Sequence, residues 1–150
     1  MYSYREEKHL PYAAQDLFSL VADVQNYPEF IPGCDAVKIL SSSDNEIIAD
    51  LLVSYKAVCT KYTSRVCLLR ASSEDEKWVI DVTQKDGPFK FLKNRWEFKW
   101  NDKIKKSHVA FSIEFEMRSK ILNFTIGVMF EKLVKKMVSS FENRAKKILG

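Results

Sequence analysis

The sequence predicts an α+β fold, in which a curved antiparallel sheet of about seven strands packs against one long C-terminal helix. Two observations predict it. Apolar residues recur at every second position through the middle of the chain, and at helical spacing near its end. With 150 residues, of which 46% are hydrophobic and 29% charged, we expect a single domain over residues 1–150 with one core.

The N-terminal part predicts an opening strand over Tyr2–His9, followed by two short helices. The first helix lies within the segment PYAAQDLFSLVADV. Its apolar residues recur at helical spacing, namely Leu17, Phe18, Leu20, Val21 and Val24. In the next segment, QNYPEFIPGCDA, Pro28 and Pro32 leave room for a single helical turn, and Gly33 ends it.

The middle of the chain predicts a meander of about six strands. Five of them are indicated by alternating apolar residues, or by β-branched and aromatic residues, in EIIADLLVSYKA, KYTSRVCLL, KWVIDVT, RWEFKW and HVAFSIEFEM. Clean alternation gives a strand one dry face and one wet face, as is typical of antiparallel sheets. The segments SSSDNE and DGPF predict turns, the second because Gly87 can adopt positive φ and Pro88 is rigid.

The last segment predicts a long amphipathic helix that covers the dry face of the sheet. Its apolar stripe comprises Ile126, Met129, Phe130, Leu133, Val134, Met137, Phe141, Ala145 and Ile148. Its outer face carries Lys132, Lys135, Lys136, Arg144, Lys146 and Lys147. A twisted sheet around a helix rarely closes completely, so we expect a pocket between the two.

The charge of the chain is mildly basic, +4, and the excess lies near the C-terminus. Residues 120–150 contain seven Lys or Arg and two Glu, a net charge of +5, so the rest of the chain nets −1. Such a surface suits anionic lipid or RNA. Three cysteines without a CxxC pair, together with only two histidines, favour a reducing compartment and argue against a zinc site.

Three motifs carry a family resemblance: YPEFIPGC at 27–34, DGPFKFLKNRWEF at 86–98 and FENRAKKI at 141–148. In their order and spacing the chain resembles the coenzyme Q-binding protein and ribosome association toxin RatA family, within the START-like, polyketide cyclase superfamily. The resemblance implies the helix-grip fold and a hydrophobic tunnel that holds ubiquinone or a related isoprenoid lipid. It also implies a non-catalytic carrier or chaperone role in respiratory electron transport, with no cofactor required.

The candidate ligand-binding residues, at the wall or rim of such a tunnel, come from the motifs and from the inner stripe of the last helix. They are Tyr27, Phe30, Phe89, Leu92, Trp96, Phe98, Met129, Phe130, Leu133 and Met137. Periodicity alone assigns most of these side chains to the core. A minority is expected to face a ligand, with Trp96 first because it lies in a motif and its indole N–H needs a partner. Tyr55, Tyr62 and Arg65 are possible donors to a headgroup if they point inward.

The basic outer face of the last helix offers a second kind of site. Lys132, Lys135, Lys136 and Lys147 are predicted to contact an anionic membrane or, in an alternative interpretation, the ribosome. No nucleophile elbow, P-loop or GxGxxG motif is present, so we expect no catalytic residue and no metal site. A polyketide cyclase or aromatase is the enzymatic alternative.

The N-terminal sequence MYSYREEKHL has no apolar run, and no stretch approaches the ~20 apolar residues of a spanning helix. The chain is therefore expected in the cytoplasm, peripherally on the inner membrane of a bacterium. For a processed organellar protein, the matrix side of the mitochondrial membrane is the corresponding place.

Overall fold

A computed structural model describes residues 1–55 and 58–150. Lys56 and Ala57, the end of the first predicted central strand, lie outside the described residues. The strands are β1 (Tyr2–Leu10), β2 (Cys34–Ser42), β3 (Glu46–Tyr55), β4 (Val58–Leu69), β5 (Trp78–Asp86), β6 (Phe89–Asn101) and β7 (Lys106–Met117). The helices are α1 (Ala14–Ala22), a 3₁₀ helix (Val24–Glu29) and α2 (Lys120–Leu149).

The seven strands form one antiparallel sheet in the order β1-β7-β6-β5-β4-β3-β2. Register shifts interrupt β2, the pairing of β4 with β5 at Thr63 and Ser64, and the start of β6. Such irregularities bend a strand and increase its twist, which curves the sheet around α2. The predicted α+β architecture, with two short helices after the first strand and a long C-terminal helix, is confirmed.

The core lies between α2, α1 and the inner face of the sheet. From α2 the buried side chains are Phe130, Val134, Val138, Phe141 and Ala145. The prediction for the last turns of α2 was wrong at two positions. Ile148 is exposed, and the Arg144 guanidinium packs over the Phe30 ring and donates to the Glu29 carboxylate at 2.9 Å. The reason is that the 3₁₀ helix lies beside the C-terminal half of α2, so Arg144 finds a partner there.

Of the six predicted central strands, five are assigned to particular segments of the sequence. The sixth is β2. It lies at the edge of the sheet, where it pairs with β3, and most of its side chains are half-buried or exposed. Leu40 is exposed next to the inward Ile39, so the alternation that identifies a half-buried strand is weak here.

Turn chemistry fixes the β5–β6 hairpin as predicted. Gly87 has φ +148°, and a Cβ built on it would lie 2.5 Å from the Tyr62 Cβ. The Gln84 side chain spans the turn, because its amide Nε2 donates to the Phe89 carbonyl at 2.8 Å and its Oε1 accepts from the Phe89 N–H at 2.9 Å. The turn therefore fixes the position of Phe89, whose ring packs against that of Tyr62.

We expect Gly87→Ala to lower the free energy of unfolding by about 2 kcal/mol, since the new methyl group overlaps Tyr62 and the backbone is strained for an L-residue. Urea denaturation followed by far-UV circular dichroism measures this. The matched control is Pro88→Ala, which removes only turn rigidity and should cost about 0.5 kcal/mol. An equal effect of the two substitutions would contradict the steric explanation.

Candidate functional site

A cavity of about 260 Å³ lies between the inner face of the sheet and α2. The 3₁₀ helix and the loop after it contribute Val24, Tyr27, Ile31, Pro32 and Gly33, and the start of β2 contributes Cys34. The strands contribute Leu51, Val53 and Ser54 from β3, Tyr62, Ser64 and Val66 from β4, Val82 from β5, and Asn94 and Trp96 from β6. From α2 come Leu133, Met137 and Phe141.

The cavity exists because side-chain size changes across the sheet. On β6 and β7 the inner face carries large rings, and Trp96 packs edge-on against Phe111 at 4.7 Å and Phe141 at 5.0 Å between ring centroids. Beneath the same helix, β4 and β5 present Ser64 and Val82. These short side chains cannot reach α2, so the volume in front of them stays unfilled.

A second, much smaller gap of about 30 Å³ lies between β1, α1 and α2. It holds about one water molecule at most, so this part of the interior is packed. Lys8 lies beside it and pairs with Glu6 and Glu142. The interior therefore divides into a filled half near β1 and an open half near β3 and β4.

Four of the ten predicted ligand-binding residues lie on the wall of the larger cavity. They are Tyr27, Trp96, Leu133 and Met137. The structure thus brings together residues from the first motif, the second motif and α2, which are far apart in the sequence.

The other six predicted residues lie elsewhere. Phe98 is 1% exposed and stacks on Trp96, and Phe130 packs against Phe115 at 4.9 Å between centroids. Phe89 lies edge-on to Tyr62, one layer behind the cavity wall. Three more are absent from the described cavity wall, namely Phe30, Leu92 and Met129.

Pattern reasoning missed the small and polar members of the wall. Ser64 is 2% exposed, and Asn94 donates from Nδ2 to the Ser112 carbonyl at 2.9 Å. A serine on β4 and an asparagine on β6, at inward positions of the two strands that flank β5, are the signal that could have located the unfilled region. Large apolar residues would be expected there if the space were packed.

The polar groups of the wall are neutral. The Tyr27 hydroxyl donates to the Val21 carbonyl and so ties the 3₁₀ helix to α1, while burial raises the pKa of Tyr27. Burial also raises the pKa of Tyr62 to about 12, with the nearby Cys34 adding to the effect. The pKa of the Cys34 thiol is raised to about 11 by burial, and then by Asp35.

Neutral hydrogen-bond donors on the wall are available to a guest molecule. Tyr27 donates within the protein, and Asn94 uses one of its two amide N–H groups for the Ser112 carbonyl. The other donor groups among the wall residues include the Ser54, Tyr62 and Ser64 hydroxyls and the Trp96 indole N–H. Of the three side chains named as possible headgroup donors, Tyr62 lines the cavity. Arg65 points outward, half-exposed, with its Nε 3.4 Å from the Glu46 carboxylate. Tyr55 is half-buried and does not line the cavity.

No charged side chain lines the cavity among the residues that the structure describes. The same residues contain no group of three or more His, Cys, Asp or Glu placed to hold a metal ion. None of the helices in the described ranges combines the length and hydropathy needed to cross a bilayer. The chemistry available in the cavity is therefore apolar contact with a few neutral hydrogen bonds.

The four lysines predicted as a contact surface all lie on the outer side of α2. Lys132, Lys135, Lys136 and Lys147 are exposed. Lys135 lies 2.8 Å from the Glu131 carboxylate, one helical turn away. Because this pair is in solvent, it costs little to break when a partner binds.

Residues 10–142 match the model of the family described as polyketide cyclase / dehydrase and lipid transport. The chain belongs to this family. It is 36% identical to the ribosome association toxin RatA of Rickettsia prowazekii over 149 residues, which covers 99% of both chains. It is 29% identical to the mitochondrial coenzyme Q-binding protein COQ10 homolog B of Xenopus laevis, over 98% of this chain and 59% of that protein.

Among solved structures, the Zhui aromatase/cyclase from Streptomyces sp. R1128 superposes with a TM-score of 0.80. The superposition covers 99% of this chain and 96% of that one, at 15% sequence identity. Identity this low shows the fold alone. Together with the family match, it confirms the START-like helix-grip architecture that the three motifs implied.

We expect the three cysteines to react with a thiol reagent in two classes. Cys59 and Cys67 are exposed, whereas Cys34 is buried on the cavity wall. With a pKa of about 11, only roughly one Cys34 thiol in a thousand is ionised at pH 8. Stopped-flow titration with a chromogenic disulfide should show two fast equivalents and one slow equivalent.

Cys34→Ser is the control for this assignment and should remove the slow equivalent alone. Three equal rates in the wild-type protein would show that Cys34 is open to solvent and would contradict the cavity geometry.

Proposed function

We propose that the chain binds an isoprenoid lipid of the ubiquinone type in the cavity and carries it without changing it chemically. The observation that supports this is the unfilled space of about 260 Å³ with an apolar wall. An apolar cavity of about 150 Å³ suffices for a benzene ring. The larger cavity therefore accommodates a substituted quinone ring, with the tail continuing along the wall.

The energetics favour such a ligand. Each buried CH₂ contributes about 0.8 kcal/mol, so one five-carbon isoprene unit contributes roughly 3–4 kcal/mol. Binding must exceed an immobilisation cost of the order of 4–15 kcal/mol. A ring with two or three buried isoprene units meets that cost, whereas a small polar metabolite would gain little from this wall.

The donors on the wall suit a neutral head that carries carbonyl oxygens. Quinone carbonyls accept hydrogen bonds, and Tyr62, Ser64 and Trp96 can each donate one. The raised pKa of Tyr62 keeps its hydroxyl protonated, so it remains a donor throughout the physiological pH range. A carboxylate head would instead lack a cationic partner in this cavity.

The enzymatic alternative, a cyclase or aromatase, requires a general acid or base in contact with the ligand. The described wall offers only two tyrosines and a cysteine, all with raised pKa values. At neutral pH these groups are almost entirely protonated, so they are not available as general bases, and their raised pKa values make them weak general acids. The site therefore favours binding over turnover.

Blocking the cavity is the most direct test. We expect Leu133→Trp, which places a large ring into the space from α2, to abolish co-purification of isoprenoid quinone while changing the melting temperature little. The measurement is gentle purification, organic extraction and mass spectrometry. Trp96→Ala is less suitable because Trp96 also packs against Phe98, Phe111 and Phe141, so its removal costs about 3–5 kcal/mol of stability.

Ser139→Trp supplies the matched control, since it adds the same ring to the exposed side of α2. It should retain the ligand at the wild-type level. Wild-type protein that carries no isoprenoid lipid, and takes none up from quinone-containing detergent micelles, would contradict the proposed function.

A second candidate function is that of a toxin that blocks ribosomal subunit association. The observation that favours it is the similarity over 99% of both chains to a protein of that name, and the exposed lysines of α2 suit RNA phosphates. Those lysines also suit an anionic membrane, at about 1 kcal/mol each near the surface. For the carrier, this contact would lie at the cytoplasmic face of a bacterial inner membrane, or at the matrix side in an organelle.

Ribosome profiles in a sucrose gradient separate the two functions. If the toxin function holds, overexpression should reduce the 70S peak in favour of free subunits, and the Lys132→Glu, Lys136→Glu double variant should restore it. If the chain is a carrier, overexpression of the wild-type protein or of the double variant should leave the ribosome profile unchanged. Leu133→Trp is the control here, because filling the cavity leaves the lysine surface intact.

A further inference from the structure

The first turns of α2 carry an exposed apolar surface, which lies outside both the cavity wall and the lysines of the proposed function. Ile121 is 82% exposed, Phe124 72% and Val128 68%, the highest values for large apolar side chains in the described ranges. Their spacing of three and four residues places them on one side of the helix. We call these three residues the α2 patch. A contiguous exposed patch of this kind, unlike scattered single residues, indicates an interaction site.

Basic residues continue the same side of the helix. Lys132 follows Val128 at a spacing of four, and Lys135 follows Lys132 at a spacing of three, while Lys120 precedes the patch. All three are exposed. The outer side of α2 is therefore apolar over its first turns, with a lysine at the helix start. Over the next turns it carries Lys132 and Lys135 together with one acidic residue, Glu131, which pairs with Lys135.

The beginning of α2 is anchored to the sheet, so the patch has a defined position. The Ser119 side chain caps the helix by accepting from the Leu122 N–H at 3.2 Å, and Asn123 Oδ1 accepts from the Met117 N–H at 3.0 Å. On the inner side, Tyr2 contacts the helix at Gly127, where an added Cβ would lie 1.9 Å from the tyrosine hydroxyl.

The patch lies at the same end of the molecule as part of the cavity wall. β7 ends at Met117, just before α2. Because neighbouring strands are antiparallel from β7 through β6, β5 and β4 to β3, the C-terminal end of β3 lies at the same end of the sheet. Two residues that line the cavity lie at this end, Ser54 near the end of β3 and Gly33. The Ser54 N–H donates to the Gly33 carbonyl at 2.8 Å.

We propose that the α2 patch inserts into the surface of an anionic phospholipid bilayer, with Lys120, Lys132 and Lys135 contacting the phosphate groups around it. Apolar side chains flanked by lysines on one helix side match the apolar interior and anionic surface of such a bilayer. This orientation turns the cavity end of the molecule toward the lipid. That this contact serves ligand exchange with the bilayer rests on the proposed function. Binding of the protein to vesicles can be measured independently of it.

The size of the patch argues against a stable protein partner. Three side chains cover far less than the roughly 800 Å² per partner that a specific protein interface buries. RNA phosphates also give no reason for a phenylalanine flanked by isoleucine and valine to be exposed. A bilayer, by contrast, can accept a few apolar side chains from a preformed helix, with little loss of conformational entropy in the protein.

The test is co-sedimentation of the full chain with phosphatidylcholine vesicles containing about one-third phosphatidylglycerol. We expect the variant Ile121→Gln, Phe124→Gln, Val128→Gln to lower the partition coefficient at least about tenfold. Phe124→Ala alone should lower it by a smaller factor. The control, Leu69→Gln with Ile104→Gln, replaces exposed apolar residues at the opposite end of the sheet and should bind as the wild type does.

The outcomes are distinguishable from those of the proposed function. Quinone uptake from detergent should be equal in wild-type and patch-variant protein, so loss of ligand and loss of vesicle binding are separate results. The inference is overturned if wild-type protein does not bind these vesicles, or if the patch variant binds them as well as the control does. It is also overturned if the patch instead mediates a dimer in light scattering, or binding to purified ribosomal subunits, without vesicle binding.

Discussion

The distance between α2 and the sheet is set by aromatic rings on one half of the interior, and the cavity is its consequence. Trp96 meets Phe141 at 5.0 Å and Phe115 meets Phe130 at 4.9 Å between ring centroids. Phe111 packs against Trp96 at 4.7 Å from within the sheet. A helix is rigid, so contacts three turns apart fix its height over the whole sheet. Where β4 and β5 present short side chains beneath the same helix, the chain cannot close the gap without breaking those ring contacts.

An unfilled interior normally lowers stability, by roughly 24 cal/mol for each Å³ of cavity. Here the sheet keeps the space open through Ser64 and Asn94, side chains that cannot collapse into it. Tyr27 and Phe30 contact Phe141 edge-on and so join the 3₁₀ helix to α2 beside the cavity. A ligand would replace the missing contacts, so its binding free energy and the stability of the loaded fold are linked.

Much of the fold could be predicted from period and turn chemistry, because each central strand except β2 carries apolar or β-branched residues that its neighbours bury. The cavity could be predicted only as a class of site. Trp96 and Phe98 alternate identically in the sequence, yet Trp96 borders both the open half and the packed half, whereas Phe98 borders the packed half alone. Which ring borders a void depends on the size of side chains on other strands, and a pattern within one strand does not contain that information.

The exposed residues at the start of α2 have no explanation within the folded chain. Glu, Lys or Gln at 121, 124 and 128 would form the helix at least as well as Ile, Phe and Val, whose side chains lose more rotamer freedom there. Because these side chains are 68–82% exposed, they also contribute little to the core. Helix propensity and solubility both disfavour them, so an external apolar phase is the simplest physical reason for their presence. A carrier that collects its ligand from a bilayer has to meet that phase.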